Sequence, residues 1–164
     1  MKQNIIRIIL IAILLADMIF IFSNSAQNAT SSASVSQSIT EKVAPIILPN
    51  YREMNEEEQK QAVLSLDAIL REIAHMLQFV PLGFALYLLL HTFSEQIQSI
   101  KLKLLITISY GIFYAITDEI HQIFSPGRAF EFFDIFMDTC GVVAGCAAAV
   151  ILTLVLKRIP KQRV

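Results

Sequence analysis

Residues 5–22 read IIRIILIAILLADMIFIF, a run broken only by Arg7 and Asp17. A helix needs roughly 20 mostly apolar residues to cross a bilayer. Inside lipid every backbone N–H and C=O must be satisfied by the segment itself or by a closed barrel. Barrel strands alternate in short segments, whereas this run is continuously apolar, so it predicts a spanning helix. Three more blocks of the same kind follow, at about 73–90, 102–124 and 132–156. The 164 residues are 55% hydrophobic and 16% charged, with a net charge of -1, which excludes disorder as a description of the whole chain. With no basic block, nucleic acid is not an expected partner; the lipid bilayer is. The expected fold is all-α, one integral membrane domain over 1–164 with four transmembrane helices.

Lys and Arg near the ends of the apolar blocks predict orientation. Lys2 and Arg7 precede or open the first block, Lys101 and Lys103 sit at the short second connection, and Lys157, Arg158, Lys161 and Arg163 end the chain. The first connection, about 23–70, instead carries Glu41, Glu53, Glu56, Glu57, Glu58 and Asp67. The expectation is a plasma (cytoplasmic) membrane protein with both termini cytoplasmic and the acidic loop outside. The first block read as a cleaved signal peptide is the alternative; Asp17 and the length of the run count against it. Cys140 and Cys146 lie six positions apart in the fourth block, about 9 Å along a helix, too far for a disulfide.

The outer loop has two textures. SNSAQNATSSASVSQSIT, residues 23–40, is small and polar with no apolar period, and is expected to be a solvated strap rather than a binding loop. From Asn55, with Glu58 three positions on, a helix start is expected. Val63, Leu66, Leu70, Ile73 and Leu77 then recur at helical steps, an amphipathic segment that bends into the second span or runs straight on as it. Pro81 is expected to kink that span.

Ionisable groups at membrane depth are costly, so their positions carry the most information about function. Arg71, Glu72 and His75 open the second span, and Asp118, Glu119, His121 and Gln122 close the third. Arg128 and Glu131 lie in the following turn, and Asp134 and Asp138 open the fourth span. All fall at the outer end of the bundle. Arg71 with His75, Asp118 with Gln122, and Asp134 with Asp138 are each four apart and share a helix face. The last pair continues into Gly141, Gly145 and Ala149, a small-residue ridge on which a second helix can pack closely. His91 and His121 read as rings at the water interface.

Three segments carry a resemblance. They are Arg71-Glu72-Ile73-Ala74-His75 leading to Gly83, the stretch DEIHQIFSPGR at 118–128, and Asp134 through Asp138 to Gly141 and Gly145. Phe22-Ser23 adds a weaker match. Together they make the chain similar to the VanZ-like family. The resemblance implies a multi-span envelope protein, and the family's named member contributes to teicoplanin resistance.

Four roles are open to the polar residues. In one, Arg71 and Arg128 neutralise Asp118, Asp134 and Asp138 and merely hold the bundle together. In the second, Arg71, His75, Asp118, Glu119, Gln122, Arg128, Asp134 and Asp138 form a binding site for an anion. There the arginines grip a lipid-linked wall precursor or an anionic lipid headgroup, and Asp134 and Asp138 orient them. The third is an enzyme using His75 as general base with the carboxylates; its metal variant would recruit His75, Asp118, Asp134 and Asp138. The fourth is an ion-coupled carrier using Asp17, which four helices would support best as a homo-oligomer. The binding role is preferred, modulating susceptibility to teicoplanin-type wall-binding agents, with no metal or cofactor expected.

Overall fold

The computed structural model describes residues 1–158, apart from the side chains at 29 and 31; the tail charges Lys161 and Arg163 lie outside the described residues. Five α-helices follow one another: α1 Lys2–Ser25, α2 Ala29–Ile47, α3 Glu56–His91, α4 Ile100–Gln122 and α5 Phe132–Arg158. A short 3-10 turn, Tyr51–Glu53, joins α2 to α3, and there is no strand among the described residues. α1, α3, α4 and α5 are each long and apolar enough to cross a membrane. Their outward surfaces are apolar, with Ile8, Ile19 and Phe113 more than 60% exposed, as expected of helices solvated by acyl chains.

The bundle is built on the pairing of α3 with α5. A Cβ added to Gly141 would stand 2.0 Å from the Met76 carbonyl oxygen, and one added to Gly145 would stand 2.1 Å from that of Val80. Gly83 meets the Val142 carbonyl in the same way, at 2.2 Å. Two backbones are thus in direct contact, which only glycine permits. Successive contacts advance by four residues on both helices, so α3 and α5 run parallel. Asp134 and Asp138 are thereby brought to the level of Arg71, Glu72 and His75. α1 runs antiparallel to α3: Arg7 bonds Thr92 at one end and Asn24 bonds Gln78 at the other. Leu14, Ile21, Phe79, Leu82, Ala115, Val142 and Cys146 fill the space between the helices.

α3 has 36 residues, about 54 Å of helix, well beyond the ~30 Å hydrocarbon layer. It continues as one helix from the amphipathic segment into the span, through Pro81. Its start is the expected one, with Asn55 Oδ1 accepting from Glu58 N and Glu58 Oε2 accepting from Asn55 N, both at 2.9 Å.

Residues 23–40 differ from expectation. They are not a solvated strap: the end of α1 and most of α2 occupy them, with Asn28 capping α2 through its bond from Thr30 N at 3.0 Å. α2 packs along the projecting half of α3. Thr40, 1% exposed, donates to Asp67 Oδ1 at 3.0 Å, and Ser36 donates to the same oxygen. Ala44 then packs on Val63 and Leu66. Hydroxyls and alanine make most of this contact, so a search for apolar periodicity passes over it.

Candidate functional site

The last turn of α4 places Asp118, Glu119 and Gln122 inside the bundle, 3%, 0% and 3% exposed. Asp118 Oδ2 accepts from Ser25 Oγ at 2.6 Å and from Gln122 Nε2 at 3.2 Å. The amide oxygen of Gln122 accepts from Arg128 Nη1 at 3.0 Å. Gly127, at φ 79, turns the chain after α4 through a backbone conformation that favours glycine and returns Arg128 over the helix end. Arg128 Nε donates to Gln27 O at 3.2 Å, and Ser125 Oγ donates to Ser25 O at 3.1 Å. α1, α4 and the α4–α5 turn are thus stitched at one end of the bundle.

A guanidinium has five N–H donors, and Arg128 spends two on amide oxygens. Arg71 makes no hydrogen bond among the described residues. Both arginines line a pocket of about 270 Å³ between the end of α1, α2 and α3. His75 lies on the same wall. Asn24, Gln27 and Gln78 supply amides, and Ser32 and Ser36 of α2 supply hydroxyls. Val35, Ile39, Leu70 and Ala74 complete the lining with apolar surface. Of the lining residues, Arg71, His75 and Arg128 were expected from the sequence. Ser32 and Ser36 were missed because α2 itself was not expected.

The carboxylates lie behind this wall rather than in it. Asp134 sits against Glu72, within electrostatic reach of Arg71 and Arg128. Asp138, 1% exposed, lies within reach of Asp118, Glu119, Glu72 and Asp134. Glu119 Oε2 accepts from Glu131 N at 2.8 Å. The structure therefore brings Arg71, His75, Asp118, Glu119, Gln122, Arg128, Asp134 and Asp138 to one end of the bundle, but two expected contacts do not form. Arg128 is oriented by Gln122 and the Gln27 carbonyl, not by Asp134 or Asp138. Nor do its hydrogen bonds neutralise Asp118, Asp134 or Asp138. The turn at Gly127 lays Arg128 over the end of α4, which puts its guanidinium against the Gln122 side chain and the Gln27 carbonyl.

His75, Asp118, Asp134 and Asp138 do not converge as a metal-ligand set; among the described residues no three His, Cys, Asp or Glu side chains do. Of the remaining candidates, His121 stacks on Phe22 with ring centroids 3.8 Å apart. Asp17 keeps one buried oxygen with no hydrogen bond among the described residues. His91 lies at the opposite end, near Tyr87.

The family model for VanZ/LLP1 matches residues 8–153, nearly the whole chain and every polar residue of this site. No curated protein and no solved structure matches it.

Proposed function

Since the chain belongs to the VanZ/LLP1 family of membrane proteins, we propose that its polar pocket binds the anionic group of an envelope ligand. The ligand class is a phosphate or carboxylate borne by a lipid-linked wall precursor or a lipid headgroup. The observation that carries this reading is the shared wall: Arg71, His75 and Arg128 line one pocket, and most of their donors are unspent. Guanidinium forks match the paired oxygens of such groups. The apolar side of the pocket, Val35, Ile39, Leu70 and Ala74, suits a ligand that also carries a chain.

Depth favours the same class. Asp118 stands about five turns from Lys101 along α4, roughly 25 Å, so the pocket lies near one headgroup layer. The charge pattern of the connections favours the outer layer of a plasma membrane, with both termini cytoplasmic. There the protein modulates susceptibility to teicoplanin-type wall-binding agents by holding a surface ligand.

The test uses the full chain in lipid nanodiscs, with a polyprenyl phosphate and inorganic phosphate as separate probes. Arg71→Gln and Arg128→Lys are each expected to weaken binding at least tenfold, about 1.4 kcal/mol, with little change in thermal stability. Tolerance to teicoplanin in a susceptible bacterial host should fall with them. Wild-type affinity in both variants, or no binding of either probe, sinks the reading.

A second reading has one observation of its own: His75 lines the pocket and Asp118 lies within electrostatic reach behind it. A membrane-embedded enzyme would use that pair, with Asp134 and Asp138, on a lipid-linked substrate. Turnover of a polyprenyl pyrophosphate that disappears in His75→Ala would put the enzyme first.

A further inference from the structure

Four carboxyls from three helices lie within electrostatic reach of Asp138 of α5 behind the pocket wall: Glu72 of α3, Asp118 and Glu119 of α4, and Asp134 of α5. Each keeps one buried oxygen without a hydrogen-bond partner. Asp138 is the extreme case, 1% exposed and with no hydrogen bond among the described residues. Its place is set by Gly141, one turn on, whose backbone contact with Met76 seats this part of α5 against α3.

The surrounding charges do not balance this group. On the α3 side stand Arg71 and His75, and at the α4–α5 turn Arg128, whose hydrogen bonds go to amide oxygens. His121 of α4 is stacked on Phe22 of α1, and Glu131 adds a sixth acid. α1 contributes Ser25, a neutral donor to Asp118. Asp118, Glu119 and Asp138 are buried and Glu72 and Asp134 half-buried beside them, so like charges there repel strongly, and the unpaired oxygens forfeit hydrogen bonds as well.

Two kinds of occupant relieve such a group, a multivalent cation or protons. A cation needs three or more ligands converging on one point, which the described side chains do not provide. Protons need only neighbouring pairs. Glu72 and Asp134 face one another directly, so one carboxyl carrying a proton donates it to the other. This is the arrangement in which two close acids cannot both ionise.

We infer that Glu72, Asp118, Glu119, Asp134 and Asp138 form a proton-binding site, with one proton shared by Glu72 and Asp134 and another carried by Asp138. Asp118 lies within electrostatic reach of His75 on the pocket wall, and Asp134 within reach of Arg71 and Arg128. Where the pocket holds an anion, as proposed above, the added negative charge draws a further proton into the site, so that binding and proton uptake are coupled.

Infrared spectroscopy of the full chain in nanodiscs, with no ligand added, tests the site directly. At neutral pH the wild type is expected to show the carbonyl stretch of protonated carboxylic acids, shifted in heavy water. Asp138→Asn and Glu72→Gln should each remove part of that band. Absence of the band, a band unchanged in both variants, or a stoichiometric divalent cation whose chelation is needed to make the band appear overturns the inference. The wild-type spectrum decides whether protons are held, whatever the stability of the variants. Calorimetry with the polyprenyl phosphate in two buffers of different ionisation heat then reads the coupling, expected at about one proton taken up per anion. A band without any anion binding removes the anion pocket and leaves the proton site standing. Binding without proton uptake removes the coupling.

Discussion

Ser25 Oγ donates to Asp118 Oδ2 over 2.6 Å, joining the last residue of α1 to the last turn of α4 across 93 positions of sequence. Both residues are buried, and the bond begins a chain that passes through Gln122 to Arg128 at the pocket. This end of the bundle is therefore held by a chain of polar contacts that links α1, α4 and the α4–α5 turn.

Ser25→Ala leaves the Asp118 oxygen with one donor fewer in a buried setting. The expected cost is about 1–3 kcal/mol, read as a lower midpoint of thermal unfolding in detergent. Ser25→Thr, which keeps the hydroxyl, should recover most of it.

The two glycine contacts predict unequal responses to the same methyl group. Gly141→Ala drives a Cβ into the Met76 backbone carbonyl, while Gly111→Ala meets only the Val142 side chain, its nearest atom 2.6 Å away. A backbone cannot step aside as a side chain can. Gly141→Ala should cost at least about 3 kcal/mol and Gly111→Ala clearly less, by the same unfolding measurement. Equal losses would mean that α3 and α5 are not in backbone contact.

Asp67 anchors α2 through Ser36 and Thr40. Asp67→Ala should loosen α2 from α3 without unfolding the span. Hydrogen exchange over residues 29–47 is expected to rise by about tenfold, equivalent to roughly 1.4 kcal/mol, while that of α4 and α5 stays unchanged.

Orientation is testable with single cysteines at exposed positions in a background lacking Cys140 and Cys146. Glu57→Cys lies on the projecting part of α3 and Gln98→Cys on the α3–α4 connection, at opposite ends of the bundle. An impermeant thiol reagent added outside intact cells should label the first and not the second. The reverse result would turn the pocket toward the cytoplasm.

Four spans, the helix start at Asn55 and the small-residue ridge through Gly141 and Gly145 were legible in the amino-acid order. Each rests on a local rule: the length of an apolar run, a cap with its partner three residues on, or residues four apart on one face. The shared level of Arg71, Asp118 and Asp134 was legible for the same reason, since span length fixes how far each lies from the membrane edge. α2 was not, because Ser36 and Thr40 dock on Asp67 through hydroxyls, which leave no hydropathy signal.

Taken alone, the order of residues determined that this is a four-span helical protein whose polar groups gather at one end, because lipid tolerates only internally bonded backbone and few charges. Which of those groups touch was decided only in three dimensions. The parallel register of α3 and α5 set Asp138 among buried acids, and the turn at Gly127 gave Arg128 to Gln122 rather than to a carboxylate. Such pairings depend on distances of a few ångströms between helices far apart in the chain, and no local pattern encodes them.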